Sequence, residues 1–159
     1  MIRKIPKKQN INPEILNRIV SIHKECIATV NSKYYNKKQI EEWLSVTIVK
    51  NIQDQLLNTN WIVMEKDNQV VGFAQYSLED KGLYQIQVLP SEHGKGYGKS
   101  MYEYLEKDFR KKNIKEISLY STLNAIPFYK SLGFESVGKK DLLLITTSIQ
   151  MEIMKKDLL

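Results

Sequence analysis

The stretch from residue 82 to residue 112 constrains the fold of this chain more than any other. An apolar run from Leu83 to Leu89 ends at Pro90, and a polar loop separates it from an amphipathic segment. The loop contains glycines at alternate positions: Gly94, Gly96 and Gly98. This order predicts a strand, a glycine loop and a helix. Because glycine lets backbone N–H groups turn toward a ligand, and the first helical turn has unpaired donors, the stretch predicts a phosphate site.

Two common phosphate-binding templates do not fit this loop. A P-loop requires glycine, four residues and Gly-Lys-Ser/Thr; Gly98-Lys99-Ser100 supplies the end, but His93 occupies the position of the first glycine. A dinucleotide-binding fingerprint that starts at Gly94 would need its third glycine at Lys99. A nucleoside triphosphatase would also need an aspartate after an apolar strand to hold magnesium, and the next predicted strand leads into serine and threonine. That function is therefore kept only as a minor alternative.

Two motifs resemble those of the GNAT superfamily of acetyl-CoA-dependent N-acetyltransferases. His93-Gly94-Lys95-Gly96-Tyr97-Gly98 fits the family's pyrophosphate loop, Gln/Arg-x-x-Gly-x-Gly/Ala, at both glycines and departs from it at His93. Residues 124–134, NAIPFYKSLGF, resemble the family signature N-A-x-x-F-Y-x-x-x-G-F and follow at the expected distance. The resemblance is clearest from about residue 60 to the end of the chain, and the ordered pair of motifs is more specific than either motif alone.

The resemblance implies a fold, a cofactor and a reaction. The expected fold is α+β: a single GNAT-like domain over residues 1–159, with a mixed, mostly antiparallel twisted sheet flanked by helices. Two central parallel strands are expected to splay apart and bind acetyl-CoA. The implied activity is transfer of an acetyl group from acetyl-CoA to a primary amine of a small molecule or peptide, by direct attack in a ternary complex. The alternative is an inactive GNAT-like module that binds coenzyme A or a partner.

The resemblance also assigns site residues. The strand backbone before the loop would pair with the pantetheine arm, the loop N–H groups would hold the pyrophosphate, and Tyr129 would act as general acid toward the coenzyme A thiolate. Asn124 would hydrogen-bond the pantetheine or the substrate, or else cap a helix. The implied cofactor-binding residues are Ile86, Gln87, Val88, Leu89, His93, Gly94, Lys95, Gly96, Tyr97, Gly98, Lys99 and Asn124. The His93 imidazole would contact a phosphate, or only its backbone would matter.

The acceptor side is less specific. Tyr34 and Tyr35 lie between two predicted helices and are candidate acceptor-site residues, with core packing as the alternative. Related enzymes often have an acidic residue on the strand before the glycine loop, and residues 83–88 contain none. The general base is left open between a water chain, Glu79, His23 and Glu25. For His23 and Cys26, packing on an apolar helix face is the competing interpretation.

Composition excludes other classes of function. Cys26 is the only cysteine, and there are two histidines, so we expect neither an intramolecular disulfide nor a metal site. The net charge is +6, but the lysine pairs are scattered along the chain, so we expect no nucleic-acid partner. No apolar run approaches membrane-spanning length and the N-terminus lacks a signal-peptide core, so we expect a cytoplasmic protein. We also expect a monomer or homodimer.

The rest of the chain predicts helices first and strands afterwards. Asn12-Pro13 and Asn36 are helix-start signals, and a third helix is expected from about Thr47. Strands are expected at residues 2–5, 61–64, 70–76, 83–89, 116–120, 134–137 and 149–154. A helical stripe follows the glycine loop, and a last helix over residues 124–132 is expected to end at Gly133.

Overall fold

A computed structural model describes residues 1–8 and 10–159 of the chain. The strands are β1 (Ile2–Ile5), β2 (Asn60–Lys66), β3 (Gln69–Ser77), β4 (Gly82–Val88), β5 (Glu116–Thr122), β6 (Glu135–Leu143) and β7 (Ser148–Asp157). The helices are α1 (Pro13–Thr29), α2 (Lys37–Val46), α3 (Val49–Asn58), α4 (Tyr97–Lys111) and α5 (Ile126–Ser131). Short 3-10 turns cover Asn31–Lys33, Pro90–Glu92 and Leu123–Ala125.

The strands form one seven-stranded sheet in the order β1-β2-β3-β4-β5-β7-β6. Neighbouring strands are antiparallel except for the central pair, β4 and β5. That parallel pairing joins Gly82 to Ser118 and Leu83 to Leu119 and then stops, although both strands continue. The mixed, mostly antiparallel sheet and the splayed central strands are therefore as predicted.

Helices cover both faces of the sheet. On one face, α4 buries the predicted stripe against the sheet, together with α5. The stripe residues are Met101, Tyr102, Leu105 and Phe109. On the other face, α1 and α3 pack on β2 and β3 around Trp61 and Phe73, whose rings are stacked at 5.7 Å. A third cluster lies under α2 and includes Trp43 and Ile149.

The predicted helix starts of α1 and α2 are confirmed. Asn12 Oδ1 accepts a hydrogen bond from the Glu14 amide at 3.0 Å, and Pro13 occupies the first helical position. Asn36 and Gln39 form a reciprocal capping box at the start of α2. The third helix begins at Val49, two residues beyond the predicted start, because the Thr47 hydroxyl donates to Trp43 O and so belongs to the end of α2.

The C-terminal elements differ from the prediction in their bounds. The last helix is divided: a 3-10 turn precedes α5, because Pro127 has no N–H and is tolerated only in the first turn of an α-helix. Gly133 ends α5 with φ at 97°, as expected for a left-handed cap. Strand β6 extends to Leu143 rather than residue 137, and its residues are all exposed, so they carry no alternating apolar pattern.

Within the residues described, no helix combines the length and apolarity that crossing a membrane would require.

Candidate active site

The divergence of β4 and β5 opens a cleft that contains two cavities, and a third cavity adjoins the second. The first, of about 480 Å³, lies between the end of β4, the glycine loop and α5. The second, of about 200 Å³, lies between the diverging strands and reaches Trp43 and Tyr129. The third, of about 450 Å³, lies between α2, α3 and the end of β6. Residues that line both the first and the second are Asn31, Ile86, Gln87, Asn124 and Ala125.

The first cavity gathers the predicted cofactor-binding residues. All of them line it except Leu89 and Lys95. Leu89 packs against the α1 face of the sheet, and its amide donates to Val71 O at 2.8 Å. Lys95 Nζ lies 2.8 Å from Glu92 Oε2, and Lys66 Nζ lies 3.2 Å from the same oxygen. Hydrogen bonds from these two lysines, Lys95 first, lower the pKa of Glu92.

The glycine loop leaves open space above its backbone. Gly94 and Gly96 have φ values of 81° and 83°, in the left-handed region, and a Cβ at either position would meet nothing within 4 Å. Gly98 is required for packing instead, because a Cβ there would lie 3.2 Å from Phe128 Cζ. Helix α4 begins at Tyr97 without a side-chain cap. Its first N–H groups are therefore available to a ligand.

Strand β4 directs alternate backbone groups into the cleft. Because Leu89 pairs with β3, the antiparallel pattern turns Gln87 toward β3 as well and turns Ile86 and Val88 toward the cleft. Val88 O accepts hydrogen bonds from Cys26 Sγ at 3.2 Å and from His93 Nε2 at 2.7 Å. The His93 ring thus ties the loop to β4, a role that the sequence did not indicate.

Tyr129 lies at the inner end of the cleft. It is buried, lines the second cavity, and packs edge-on against Phe128 and Phe134. Burial raises the pKa of its phenol, and a backbone hydrogen bond with Ile86 acts in the opposite direction. The raised pKa keeps the hydroxyl protonated at neutral pH and also makes this phenol a weaker acid than an exposed tyrosine.

Asn124 joins two connections across the cleft. Asn31 Nδ2 donates to Asn124 Oδ1 at 2.7 Å, so the turn after α1 is held against the turn after β5. Asn124 does not cap α5, which begins at Ile126 and has no side-chain cap. Of the two roles left open by the sequence, the helix cap is excluded.

The candidate acceptor tyrosines lie elsewhere. Tyr34 is 54% exposed and Tyr35 is 8% exposed, and neither lines any of the three cavities. The Tyr35 hydroxyl donates to Gln150 O at 2.7 Å and accepts from the Leu123 amide at 3.1 Å, so it has a structural role. The second cavity has Trp43, Tyr84 and Tyr120 instead. Only the divergence of the strands brings these three together, so sequence spacing did not reveal them.

Of the candidate bases, His23 alone lines these cavities. It faces the second and the third, whereas Glu25 and Glu79 are exposed and line none of the three. His23 Nδ1 is buried and has no hydrogen-bond partner among residues 1–8 and 10–159. Burial lowers the pKa of His23 to about 4, so the ring is neutral at physiological pH. Burial raises the pKa of the Cys26 thiol to about 12, which makes a nucleophilic thiolate unfavourable.

Comparison with known proteins decides the family. A family model described as an acetyltransferase (GNAT) domain matches residues 31–154. The chain belongs to the GNAT family. An uncharacterized acetyltransferase of Streptococcus pyogenes serotype M1 is 33% identical to it over 85 residues, which are 52% of this chain and 60% of the relative. The chloroplastic GCN5-related N-acetyltransferase 1 of Arabidopsis thaliana is 34% identical over 79 residues, 48% of this chain and 40% of the relative.

Solved structures share the GNAT fold over nearly the whole chain. A GCN5-related N-acetyltransferase from Rhodopseudomonas palustris has a TM-score of 0.89 at 18% identity and covers 99% of this chain and 95% of its own. The PaiA N-acetyltransferase of Thermoplasma acidophilum, solved in complex with coenzyme A, has a TM-score of 0.77 at 20% identity, with 99% of both chains covered. The chain is thus a GNAT domain by family and by fold. In the part of this GNAT domain that is described, no three histidine, cysteine, aspartate or glutamate side chains are grouped to hold a metal ion.

Proposed function

We propose that this GNAT domain transfers an acetyl group from acetyl-CoA to the amine of a small molecule or peptide, by direct attack in a ternary complex in the cytoplasm. The observation that carries the proposal is the cleft between β4 and β5. Its first cavity, with the glycine loop, continues into a second cavity where Tyr129 lies. One end suits an anionic carrier and the other a reacting acceptor.

The residues of the first cavity fit coenzyme A. The open backbone at Gly94 and Gly96 and the uncapped start of α4 suit a pyrophosphate. The cleft-facing Ile86 carbonyl and Val88 N–H suit an extended pantetheine arm, which can pair with β4 as a further strand would, while Val88 O is already bonded by Cys26 and His93. Lys99, exposed at the edge of the cavity, adds positive charge near the phosphates.

Acetyl-CoA supplies an activated thioester, and the protein provides orientation and proton transfer. A bond forms between the amine nitrogen and the acetyl carbon while the carbon–sulfur bond breaks; one proton leaves the amine and one is delivered to the sulfur. Tyr129, protonated and buried, donates the proton to the departing thiolate. Cleft-facing N–H groups of β4 are donors for the thioester oxygen.

His23 is the proposed acceptor of the amine's proton. It lines the second cavity and is neutral above its lowered pKa of about 4. Bond formation makes the attacking nitrogen more acidic, so even a weakly basic imidazole can then accept its proton. This assignment replaces the strand carboxylate that residues 83–88 lack.

Calorimetric titration with acetyl-CoA, followed by a thiol-release screen of amines, amino acids, antibiotics and peptide N-termini, tests the proposal. The expected result is binding with a Kd on the order of micromolar and thiol release with at least one amine. Binding without release across the whole panel would favour a coenzyme A-binding regulatory module. Absence of binding would overturn the proposal.

A further inference from the structure

A row of glutamine amides runs from the interior of the sheet to the second cavity. We call Gln75 of β3 and Gln85 and Gln87 of β4 the glutamine relay. Gln85 Nε2 donates to Gln75 Oε1 at 2.9 Å, and Gln87 Nε2 donates to Gln85 Oε1 at 3.3 Å. The relay lies on the α1 face of the sheet, and its outer member lines both the first and the second cavity.

Thr59 fixes the direction of the relay at its buried end. The single proton of its hydroxyl is donated to Gln55 O at 2.6 Å, so the oxygen can only accept from other groups. It accepts from Trp61 Nε1 at 2.8 Å and from Gln75 Nε2 at 3.2 Å. Gln75 is 6% exposed and Thr59 is 9% exposed. A reversed Gln75 amide would put two acceptors against each other out of water, which is unfavourable.

The orientation of the Gln75 amide determines the orientations of the Gln85 and Gln87 amides. Because Gln75 presents its NH2 group to Thr59, its oxygen faces Gln85, and the oxygen of Gln85 then faces Gln87. The amide oxygen of Gln87 is left over at the junction of the first and second cavities. Across the described ranges it accepts no hydrogen bond. The residue that carries this neutral acceptor lines both the cavity proposed for the acetyl donor and the cavity proposed for the amine.

The second cavity has no charged lining. None of its lining residues in the described part of the chain is aspartate, glutamate, lysine or arginine. Its walls include the aromatic rings of Trp43, Tyr84 and Tyr120. The adjoining third cavity has one carboxylate, that of Asp54. Since a buried cation is costly without an opposite charge, a polyamine or an aminoglycoside does not fit these walls.

We propose that the Gln87 amide oxygen accepts a hydrogen bond from the amine of the acceptor, and that the acceptor is a monoamine with an aromatic or apolar body. The inference rests on the proposed acetyl transfer. An amide oxygen holds an N–H group and, being uncharged, favours the ammonium form much less than a carboxylate would, so the nitrogen more readily keeps the lone pair it needs for attack. A carboxylate in the same position would favour the charged, unreactive form. Gln87 is thus a binding residue, and Gln75, Gln85 and Thr59 are positioning residues.

The class of acceptor is tested by ranking kcat/KM for thiol release at saturating acetyl-CoA. The probes are 2-phenylethylamine, spermidine, kanamycin and a dipeptide amide that has an apolar first residue and no charged side chain. We expect the better of the two monoamines to exceed both polycations by about tenfold or more. A polycation as the best acceptor would overturn the inference while leaving acetyl transfer intact. Absence of release with every amine of the wider screen would instead count against the proposed function.

The role of Gln87 is tested with Gln87→Met, which keeps the length of the side chain and removes the amide. The expected result is a KM for the amine raised roughly 3- to 10-fold, with the Kd for acetyl-CoA within about twofold of wild type. An unchanged KM would overturn the assignment. Since Gln87 is half-buried, the variant is expected to fold, and circular dichroism verifies this.

The direction of the relay is tested at Thr59, remote from the cavities. Thr59→Val removes the hydroxyl and should raise the KM for the amine about two- to fivefold, whereas Thr59→Ser keeps the hydroxyl and should restore the wild-type value. Ser121→Ala is the matched control, because it deletes a buried hydroxyl whose one hydrogen bond within the described part of the chain is to Thr122 O. Equal KM values for Thr59→Val and Thr59→Ser would contradict a directional relay.

Discussion

Tyr129 tests the mechanism at the scale of one residue. Tyr129→Phe keeps the buried ring and its packing and removes the proton donor, so kcat should fall about 10²-fold or more while the Kd for acetyl-CoA stays within about twofold. A thiol-release assay measures kcat, and calorimetric titration measures the Kd for acetyl-CoA. Tyr104→Phe is the control, because Tyr104 is half-buried on α4 and lines none of the three cavities. A fully active Tyr129→Phe variant would remove Tyr129 from the mechanism.

We expect the buried His23 side chain to make the stability of the folded chain sensitive to acid. Its pKa is about 4 in the folded chain, against an ordinary value of 6.5, because burial disfavours the charged ring. The unfolded chain therefore binds a proton more readily, so stability is present above about pH 6.5 and is lost as pH falls toward 4. Between about pH 7.5 and pH 5 the loss attributable to His23 is on the order of 2 kcal/mol.

Urea unfolding of wild type and His23→Gln at both pH values measures this contribution. The difference between the two chains isolates His23 from the carboxylates that titrate in the same range, since both chains contain them. We expect the free energy of unfolding of the variant to fall less than that of wild type on acidification. Equal losses would show that His23 is not buried as a neutral base.

At this scale the sequence revealed residues that belong to a motif. Tyr129 and the glycines were predicted because their spacing is local and matches a family pattern. Asn31 and Asn124, which are hydrogen-bonded to each other, are 93 residues apart. The glutamine relay connects β3 and β4 to Thr59, the residue that precedes β2. Such contacts depend on strand register, which a single sequence does not give.

At the scale of elements, two glycine variants should separate the effect of backbone strain on stability from the effect of the glycine loop on cofactor binding. Gly96→Ala places an L residue at φ 83° in open space, at a cost of roughly 1–2 kcal/mol. It also puts a methyl group where the pyrophosphate is proposed to lie. Gly133→Ala introduces similar strain at φ 97° beside the flexible Lys156 side chain, away from the cavities.

We expect both glycine variants to lose comparable stability by thermal unfolding. Only Gly96→Ala should also weaken acetyl-CoA binding, by about tenfold or more, when both are titrated calorimetrically under the same conditions. Equal affinities in the two variants would mean that the loop does not cradle the cofactor.

Glu42 joins α2 to the turn between β6 and β7. Its carboxylate accepts hydrogen bonds from the Ile145, Thr146 and Thr147 amides and from both threonine hydroxyls. These bonds, that of the Thr146 hydroxyl first, lower the pKa of Glu42 to about 2. These hydrogen bonds anchor the turn to α2. The anchor is thus present above pH 4.5, the ordinary pKa of a glutamate, and is lost as pH falls toward 2. Trp43 and Leu142, on the two joined elements, line the second and third cavities.

Glu42→Ala should therefore loosen the acceptor side without affecting the cofactor side. We expect faster hydrogen exchange at residues 144–147 and a KM for the amine raised about threefold or more, with acetyl-CoA affinity unchanged. Glu41→Ala is the control, because Glu41 is exposed and its ion pair, with Lys37, is long at 3.8 Å. Unchanged exchange at the turn would show that the carboxylate is not the anchor.

Elements with caps were predictable and elements without a pattern were not. Asn12-Pro13 and Asn36 identify helix starts because their side chains bond to the first turn wherever the helix packs. Strand β6 is exposed along its whole length and owes its extent to pairing with β7, the next strand along the chain, and its exposed residues carry no alternating apolar pattern that would reveal that extent. Trp43 lies on α2, whose start is predictable, but its place at the second cavity depends on how α2 packs beside β7, which no local pattern gives.

At the scale of the whole molecule, the cleft divides the sheet into two parts, β1–β4 and β5–β7. Among the described strands, the pairing between the two parts is limited to Gly82 with Ser118 and Leu83 with Leu119. A ligand that bridges the cleft should therefore stabilise both parts together. At about 100 times its Kd, acetyl-CoA should add about 2.7 kcal/mol to the free energy of unfolding.

Hydrogen exchange with and without acetyl-CoA locates that stabilisation. If the pantetheine arm lies along β4, protection should increase at residues 86 and 88, at the start of α4 and in the turn after β5, since the cleft-facing amides there have no strand partner. The Gly96→Ala variant at the same ligand concentration should show less protection at every one of these segments. Protection confined to the glycine loop would mean that only the phosphates are held, and that the splayed strands do not bind the acetyl-bearing arm.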